Sequence, residues 1–294
     1  MAHPARLLVT GASGQLGSYL VREAVQQGLN VIAWSGASRG ERSGVPLLPV
    51  DLADANRIKE AFAAAAPSLI IHAGAVASIA VCWSDPGRAR QVNVEASRHL
   101  AELAARTGAH LALVSTDLVF DGVTGNYTEE DSPAPLSVYG ETKAEAEKTV
   151  LDFAGHVVIR LSLLYGPSLA GRPNFFGEQV RCLRSGQPIS LFKDEWRTPV
   201  SFATAAQAVL GIAQSDYAGI IHVGGRERMS RLDMGLRLAN HLQVDATAIV
   251  AASRETIPAP EPRPRDTSLN SARWRKLFPH HSWPDFEASL ADTA

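Results

Sequence analysis

Arg6-Leu-Leu-Val-Thr-Gly11-Ala-Ser-Gly14-Gln-Leu-Gly17-Ser-Tyr-Leu20 reads as a strand, a glycine turn and a helix in direct succession. The apolar run Leu7, Leu8, Val9 stops at Gly11, and Leu16, Leu20, Val21 and Ala24 follow at helical spacing. In this layout the backbone N–H groups at a helix start face a phosphate. Gly11 takes the tight turn, Gly14 lets the backbone approach a pyrophosphate, and Gly17 lets helix and strand pack closely. The spacing is G-x-x-G-x-x-G and not G-x-G-x-x-G, so a ligand-free glycine turn is the structural alternative. The flanking strand and helix favour a dinucleotide site, with Gly11, Ser13, Gly14, Gln15, Leu16 and Gly17 as its cofactor loop.

The next strand decides which dinucleotide. Gln27-Gly28 closes the helix and Asn30-Val-Ile-Ala-Trp34 follows as an apolar run. NAD sites commonly place an acid at the tip of this strand, on the ribose 2′-hydroxyl. Here the tip is Ser35-Gly-Ala-Ser-Arg39-Gly-Glu-Arg42. A hydroxyl followed by two arginines suits a 2′-phosphate, so NADP(H) is expected in preference to NAD(H), through Ser35 and Arg39. A solvated basic loop is the alternative.

Composition narrows the remaining classes. A chain of 294 residues, 46% apolar and 20% charged, has ample sequence for a core and is globular, not disordered. A net charge of −2 argues against a nucleic acid or an anionic membrane as partner. Cys82 and Cys182 form neither a disulfide framework nor a metal-binding spacing, and no metal is expected. The segment Met1-Ala-His-Pro-Ala-Arg6 runs into the first strand with no signal-peptide apolar region, and no apolar run reaches the ~20 residues that span a bilayer. A cytoplasmic protein is expected.

Strands and helices then alternate. Leu47-Leu-Pro-Val50 ends at Asp51-Leu52, Asp54 caps a helix stopped by Pro67, and Leu69-Ile-Ile-His72 runs into the small residues Ala73-Gly74-Ala75. His72 reads as a satisfied strand-end histidine. A helix over 92–107 closes at Gly108, a strand covers 110–116, a helix spans 139–153 and a sixth strand covers 157–161. This rhythm predicts an α/β fold with a doubly wound parallel sheet of the Rossmann type. Beyond Leu163 the breaks at Gly166-Pro167, Gly171-Arg-Pro173 and Pro188 predict excursions into a smaller C-terminal substrate-binding lobe. The dinucleotide-binding domain is expected over 1–162, completed by 196–223, with 163–294 mainly the lobe.

Tyr139 and Lys143 are four residues apart and share a helix face. A free tyrosine, with a pKa near ~10, is a poor acid or base at neutral pH, and an adjacent ammonium is expected to lower it. Thr116 ends the preceding strand on the side where such folds bind ligands, so its hydroxyl can meet a substrate carbonyl. A nicotinamide would supply hydride. Arg197 and Arg263 are the sensible diphosphate clamps, because guanidinium groups pair bidentately with phosphate; surface salt bridging is the alternative.

The chain resembles the extended short-chain dehydrogenase/reductases, and within them the dTDP-4-dehydrorhamnose reductase family of sugar-nucleotide-binding proteins. The resemblance rests on Val9-Thr-Gly-Ala-Ser-Gly-Gln-Leu-Gly17, Asp51-Leu52, Asn93-Val-Glu-Ala96, Val114-Ser-Thr-Asp-Leu-Val-Phe-Asp-Gly122, Tyr139-Gly-Glu-Thr-Lys143 and Arg263-Pro-Arg-Asp-Thr-Ser-Leu-Asn270. It implies a Thr116/Tyr139/Lys143 catalytic set, with Tyr139 and Lys143 also at the cofactor. It implies Asp51 and Leu52 at the adenine, Ala73, Gly74 and Ala75 lining the cofactor, and Asn93 beside it, supporting the catalytic helix. It places Val119, Phe120, Asn174, Phe175, Trp196, Arg197 and Arg263 at a nucleotide-sugar. Leu118, Val200, Asn270 and the Trp196-Arg197 pair depart from the usual pattern and leave the sugar open.

The expected activity is NADP-dependent reduction of a nucleotide-linked 4-keto-6-deoxy sugar. The beta subunit of methionine adenosyltransferase resembles the chain about as well around 263–269, which keeps a dinucleotide-binding regulatory subunit as the alternative. A nucleotide-sugar epimerase with retained NAD is a third reading, against which the Ser35/Arg39 tip argues. Homodimerisation is left open.

Overall fold

The structure is a computed structural model that describes residues 6–291. The expectation about the extreme N-terminus therefore falls on residues outside those described. The chain begins β1 (Arg6–Thr10), α1 (Gln15–Gln26), β2 (Asn30–Ser35), β3 (Glu41–Arg42), β4 (Val45–Pro49), α2 (Ala55–Ala65) and β5 (Leu69–His72). It continues through α3 (Ile79–Ser84), α4 (Pro86–Arg90), a π turn (Gln91–Glu95), α5 (Ala96–Thr107), β6 (His110–Thr116), a 3₁₀ turn (Asp117–Val119), α6 (Val138–Leu151) and β7 (Val157–Leu161). The second half holds β8 (Leu164–Tyr165), α7 (Phe175–Ser185), β9 (Ile189–Phe192), β10 (Trp196–Arg197), β11 (Val200–Ser201), α8 (Phe202–Ala213) and β12 (Gly219–Val223). β13 (Met229–Ser230), α9 (Arg231–His241), β14 (Ile249–Ala252), α10 (Ala272–Leu277) and α11 (Phe286–Leu290) complete it.

The main sheet has eight strands in the order β12-β7-β6-β5-β1-β2-β4-β3. All neighbours run parallel except the β3–β4 hairpin at one edge. The connection reverses at β1, which pairs with β2 on one side and β5 on the other, so Thr10 lies between Trp34 and His72. Such a switch point opens a crevice at the carboxyl ends of the strands. Alternation along β1 fills both faces. Leu7 and Val9 join α1 and α8 residues such as Leu20 and Val209, whereas Leu8 joins Phe62 of α2, Leu100 of α5 and Val150 of α6. The fold is the expected α/β doubly wound parallel sheet.

Local chemistry sets the helix ends. The Asp54 carboxylate accepts from the N–H groups of Asn56 and Arg57, and Ala66 closes α2 in the left-handed region at φ 41°, just before Pro67. Gly108 closes α5 at φ 72°. Ser230 and Asp233 form a reciprocal capping box on α9. A second, smaller core lies in the C-terminal half, where Phe176 and Leu183 of α7, Met234 and Leu238 of α9, and Phe286 and Leu290 of α11 pack around Tyr165. The helix expected from residue 92 starts earlier: α4, the π turn and α5 run on from Pro86. Helix α7 falls where only pattern breaks were expected.

Candidate active site

A cleft of about 870 Å³ follows the carboxyl ends of β1, β2, β5 and β6 and is bounded on the far side by the C-terminal half. Gly11, Ser13, Gly14, Gln15, Leu16 and Gly17 all line it. Two of these glycines are required. Gly11 sits at φ +69° with Gly74 so close that a Cβ would lie 2.7 Å from its Cα, and a Cβ on Gly17 would lie 2.1 Å from the Gly11 carbonyl oxygen. Gly14 begins α1 with no side-chain cap, which leaves first-turn N–H groups for a ligand. This cradle and its open donors fit the pyrophosphate of a dinucleotide.

His72 secures the opposite wall. Ser97 Oγ donates to the Asn93 carbonyl, so it accepts from His72 Nε2 at 3.1 Å. Nδ1 then accepts the Thr10 hydroxyl at 2.7 Å, and that hydroxyl oxygen accepts the Gly74 N–H at 3.0 Å. Burial, and after it the Lys143 charge, push His72 down to about 3, so the ring is neutral and fully bonded. It is structural, as expected. Ala73, Gly74 and Ala75 line the cleft just beyond it.

The tip of β2 differs from expectation. Ser35 lines the cleft, with its hydroxyl donating to the Ser38 carbonyl at 2.5 Å. Arg42 turns away to Ser18 Oγ and to the carbonyls of Glu41 and Ala170. Arg39 is exposed and does not line the cleft, because the chain beyond Ser38 leads outward into the β3–β4 hairpin. Asp51 and Leu52 do line it, and Asp51 pairs with Arg88 at 2.8 Å. The Ala53 N–H, and after it Arg88, hold the Asp51 carboxyl below its ordinary range. Asn93 lies behind the lining. Its Oδ1 accepts from Val76 N at 2.8 Å, and its Nδ2 donates to the Val76 carbonyl and to Thr142 Oγ1 of α6. All its side-chain capacity goes into tying the 73–77 loop to α6.

Thr116, Tyr139 and Lys143 line the cleft together at the centre. Ser137 caps α6 by accepting from Gly140 N, which starts the helix one turn ahead of Lys143. Lys143 is buried and donates to the Val114 carbonyl at 2.7 Å. Burial pushes it down to about 8, opposed by the Glu147 charge one turn along. Tyr139 contradicts the expected lowering: burial, and then the Asp117 carboxylate, raise its phenol well above the ordinary value, with the Thr116 hydroxyl opposing. Its proton is therefore held at neutral pH. Asp117 is itself buried; Ser162 Oγ donates to it at 3.1 Å, and Arg197 Nε forms an ion pair with it at 3.6 Å. Burial raises its carboxyl against those partners.

Across the cleft stand Arg197, Arg231 and Arg263, with Glu195. Arg197 is buried and donates to the Trp196 carbonyl. Arg263 reaches Glu195 at 3.6 Å, and its segment is pinned where the Arg265 carbonyl accepts from Trp196 N. Arg231 Nη1 and Arg263 Nε are buried with no hydrogen-bond partner, an arrangement that a bound anion would complete. Burial, and next the Arg197 charge, push Arg231 down to about 10. Sequence reading missed Arg231, although a cation in the first turn of a helix opposes the macrodipole and was a visible signal.

Five expected substrate contacts do not line this cleft. Val119 and Phe120 are fully buried, and Phe120 stacks on Tyr127 with centroids 4.1 Å apart. Asn174 caps α7 and donates to the Gly166 carbonyl. Phe175 packs on the smaller core under Arg231, and Trp196 lies under Arg228. Each is one residue or one layer behind the surface, which a linear motif does not reveal.

A doubly wound Rossmann-type sheet with a glycine turn at the start of α1 and a second, smaller C-terminal core defines the class of extended short-chain dehydrogenase/reductase-like folds. Within it, the chain belongs to the RmlD substrate binding domain family, which matches residues 5–294. It is 32% identical to a dTDP-4-dehydrorhamnose reductase of Streptomyces griseus, covering 95% of this chain and 90% of that protein. It is also 32% identical to a probable low-salt glycan biosynthesis reductase of Haloferax volcanii, over 89% of this chain and 88% of the relative. At 31% it matches methionine adenosyltransferase 2 subunit beta of Bos taurus, over 92% and 82%. Among solved structures, dTDP-4-dehydrorhamnose reductase of Bacillus anthracis in complex with NADP shares the fold, with a TM-score of 0.88, 22% identity and 99% of each chain covered.

Proposed function

We propose that the chain is an NADP-dependent reductase acting on the keto carbon of a nucleotide-linked 4-keto-6-deoxy sugar. The observation that carries this reading is the pair of buried, unpartnered donors on Arg231 and Arg263, facing Thr116, Tyr139 and Lys143 across one cleft. The cation side suits a sugar diphosphate and the hydroxyl side suits a carbonyl. Residues 1–162 with 196–223 act as the dinucleotide half, and the remainder as the substrate lobe.

In this reading the first turn of α1 and the glycine loop bind the pyrophosphate. Lys143 holds a cofactor ribose hydroxyl, and a bound nicotinamide supplies the hydride. Thr116 donates a hydrogen bond to the sugar carbonyl oxygen. Tyr139, kept protonated by burial and by Asp117, gives its proton to that oxygen as the carbon is reduced, which yields the alcohol. Arg197, Arg231 and Arg263 clamp the diphosphate and so fix the distance from nucleotide to keto carbon.

NADPH oxidation with dTDP-4-keto-6-deoxy sugars, wild type against Tyr139→Phe, tests the reading. Turnover is expected in the wild type, with a loss of about 10²-fold or more in the variant. Tight NADPH binding without turnover on any keto sugar would move the reading to a dinucleotide-bound regulatory subunit, which the 31% identity to the beta subunit supports.

A further inference from the structure

The tip of β2 has no carboxylate for a ribose 2′-hydroxyl, and neither of its arginines is in place for a 2′-phosphate. Arg42 is spent on Ser18, Glu41 and Ala170, and Arg39 lies outside the cleft. A different arginine stands there. Arg172, on the loop between β8 and α7, lines the cleft together with Ser35, Gly36, Ala37 and Ser38. Its Nη2 donates to Ser38 Oγ at 3.3 Å, and no ion pair of Arg172 occurs among the described residues.

The loop that carries it is docked on the dinucleotide half. Gln15 Nε2 donates to the Arg172 carbonyl at 3.0 Å, Tyr19 Oη to the Pro167 carbonyl at 2.9 Å, and Arg42 Nη2 to the Ala170 carbonyl at 3.2 Å. All three anchors come from α1 or the β2 tip region. Arg42 thus serves the site indirectly, by holding the loop.

We propose that Arg172 reads the 2′-phosphate of the dinucleotide from the C-terminal half of the chain, so that cofactor choice and the ordering of the 166–174 loop are one event. The inference rests on the reading of the chain as an NADP-dependent protein and adds the residue that makes the choice. A guanidinium held only by a neutral hydroxyl gains charge-assisted hydrogen bonds when a phosphate arrives. The phosphate would bridge Arg172 to the serines of the β2 tip. Asn174 and Phe175 follow directly in the chain, so the same event reaches the residues that support Arg231.

Direct binding of NADPH and NADH, read by quenching of tryptophan fluorescence, tests this in wild type, R172Q and R39Q. R172Q is expected to weaken NADPH by about tenfold or more while NADH changes by less than about twofold. R39Q is expected to change neither by more than about twofold. Hydrogen exchange supplies the second readout: backbone amides of 166–174 should slow with NADPH and not with NADH in the wild type, and the difference should vanish in R172Q. Equal losses for both dinucleotides, no loss at all, or the NADPH-selective loss appearing in R39Q instead would overturn the proposal. A wild type that binds neither dinucleotide would remove the functional reading and this inference with it. NADPH binding that survives R172Q intact removes this inference alone.

Discussion

The guanidinium of Arg231 lies over the ring of Phe175, 4.1 Å from its centroid, and the contact aims a helix-start residue into the cleft. Phe175 opens α7 and Arg231 opens α9, so the two helix starts meet at the substrate side. A cation in the first turn of a helix works against the dipole, and burial adds to the cost. Both are offset once an anion binds.

Arg231→Leu should therefore act on substrate binding. The KM for the nucleotide-sugar is expected to rise by about 10- to 100-fold, the range of a lost charge-assisted hydrogen bond, with kcat changed by less than about threefold. Phe175→Leu keeps the cation and loosens its support, so a smaller rise in the same direction is expected. Steady-state kinetics of the two variants decide it. A fall in kcat at unchanged KM would remove Arg231 from the diphosphate clamp.

Lys143 gives a pH signature. With its ammonium pushed down to about 8, it loses the proton within reach of ordinary assay conditions. NADPH affinity should fall as pH rises through about 8, and Lys143→Met should bind weakly with no such fall. Titrations of NADPH binding at a series of pH values provide the check. A wild-type affinity that is flat through that range would separate Lys143 from the cofactor.

The buried histidines set the acid limit of the fold. His72 and His222 are each pushed down to about 3, by burial first, and then by Lys143 for His72 and by Arg160 for His222. Unfolded, each titrates near the ordinary imidazole value of about 6.5, so between that pH and about 3 the unfolded chain binds the extra proton. Stability must then fall as pH drops through this window, by about 1.4 kcal/mol per pH unit for each histidine. His72→Asn should remove the His72 share of that slope, about 1.4 kcal/mol per pH unit. Urea midpoints measured against pH report it, and an unchanged slope would mean that His72 is charged in the folded state.

Much of the architecture was legible because short-range chemistry and fold agree. Gly14 and Gly17 read as parts of one tight turn because the atoms that crowd them belong to Gly11 and Ala12, a few residues away, whereas the closeness of Gly11 to Gly74 comes only with the fold. Asp54 and Gly108 mark helix ends by short-range chemistry of this kind. What was not legible depends on distant pieces of chain. Arg42 meets the Ala170 carbonyl and Arg172 meets Ser38 only after folding, so neither contact could be read from position in the chain. Val119 and Phe120 lie only three and four residues after Thr116, yet the 3₁₀ turn sends them into the interior. Helices α3 and α4 are short, and their apolar positions are too few to show a period; α7 does carry Phe176, Val180 and Leu183 at helical spacing, a signal that the surrounding glycines and prolines masked.

The π turn at Gln91–Glu95 has a consequence for helix phase. A wider turn takes up about one residue more than an α-turn, so it offsets everything before it by about 100° around the axis. That offset is what lets Asn93 face the 73–77 loop while α5 keeps Leu100 and Ala104 on the sheet. Removing one residue between 91 and 95 would restore regular winding, leave α5 in place, and swing Pro86–Arg90 around the axis. Arg88 would leave Asp51 and that end of the cleft would lose a wall, even where the residue removed is not one that lines the cleft. The shape of the cofactor site is thus held in part by a residue count, and a comparison of relatives by residue type alone passes over it.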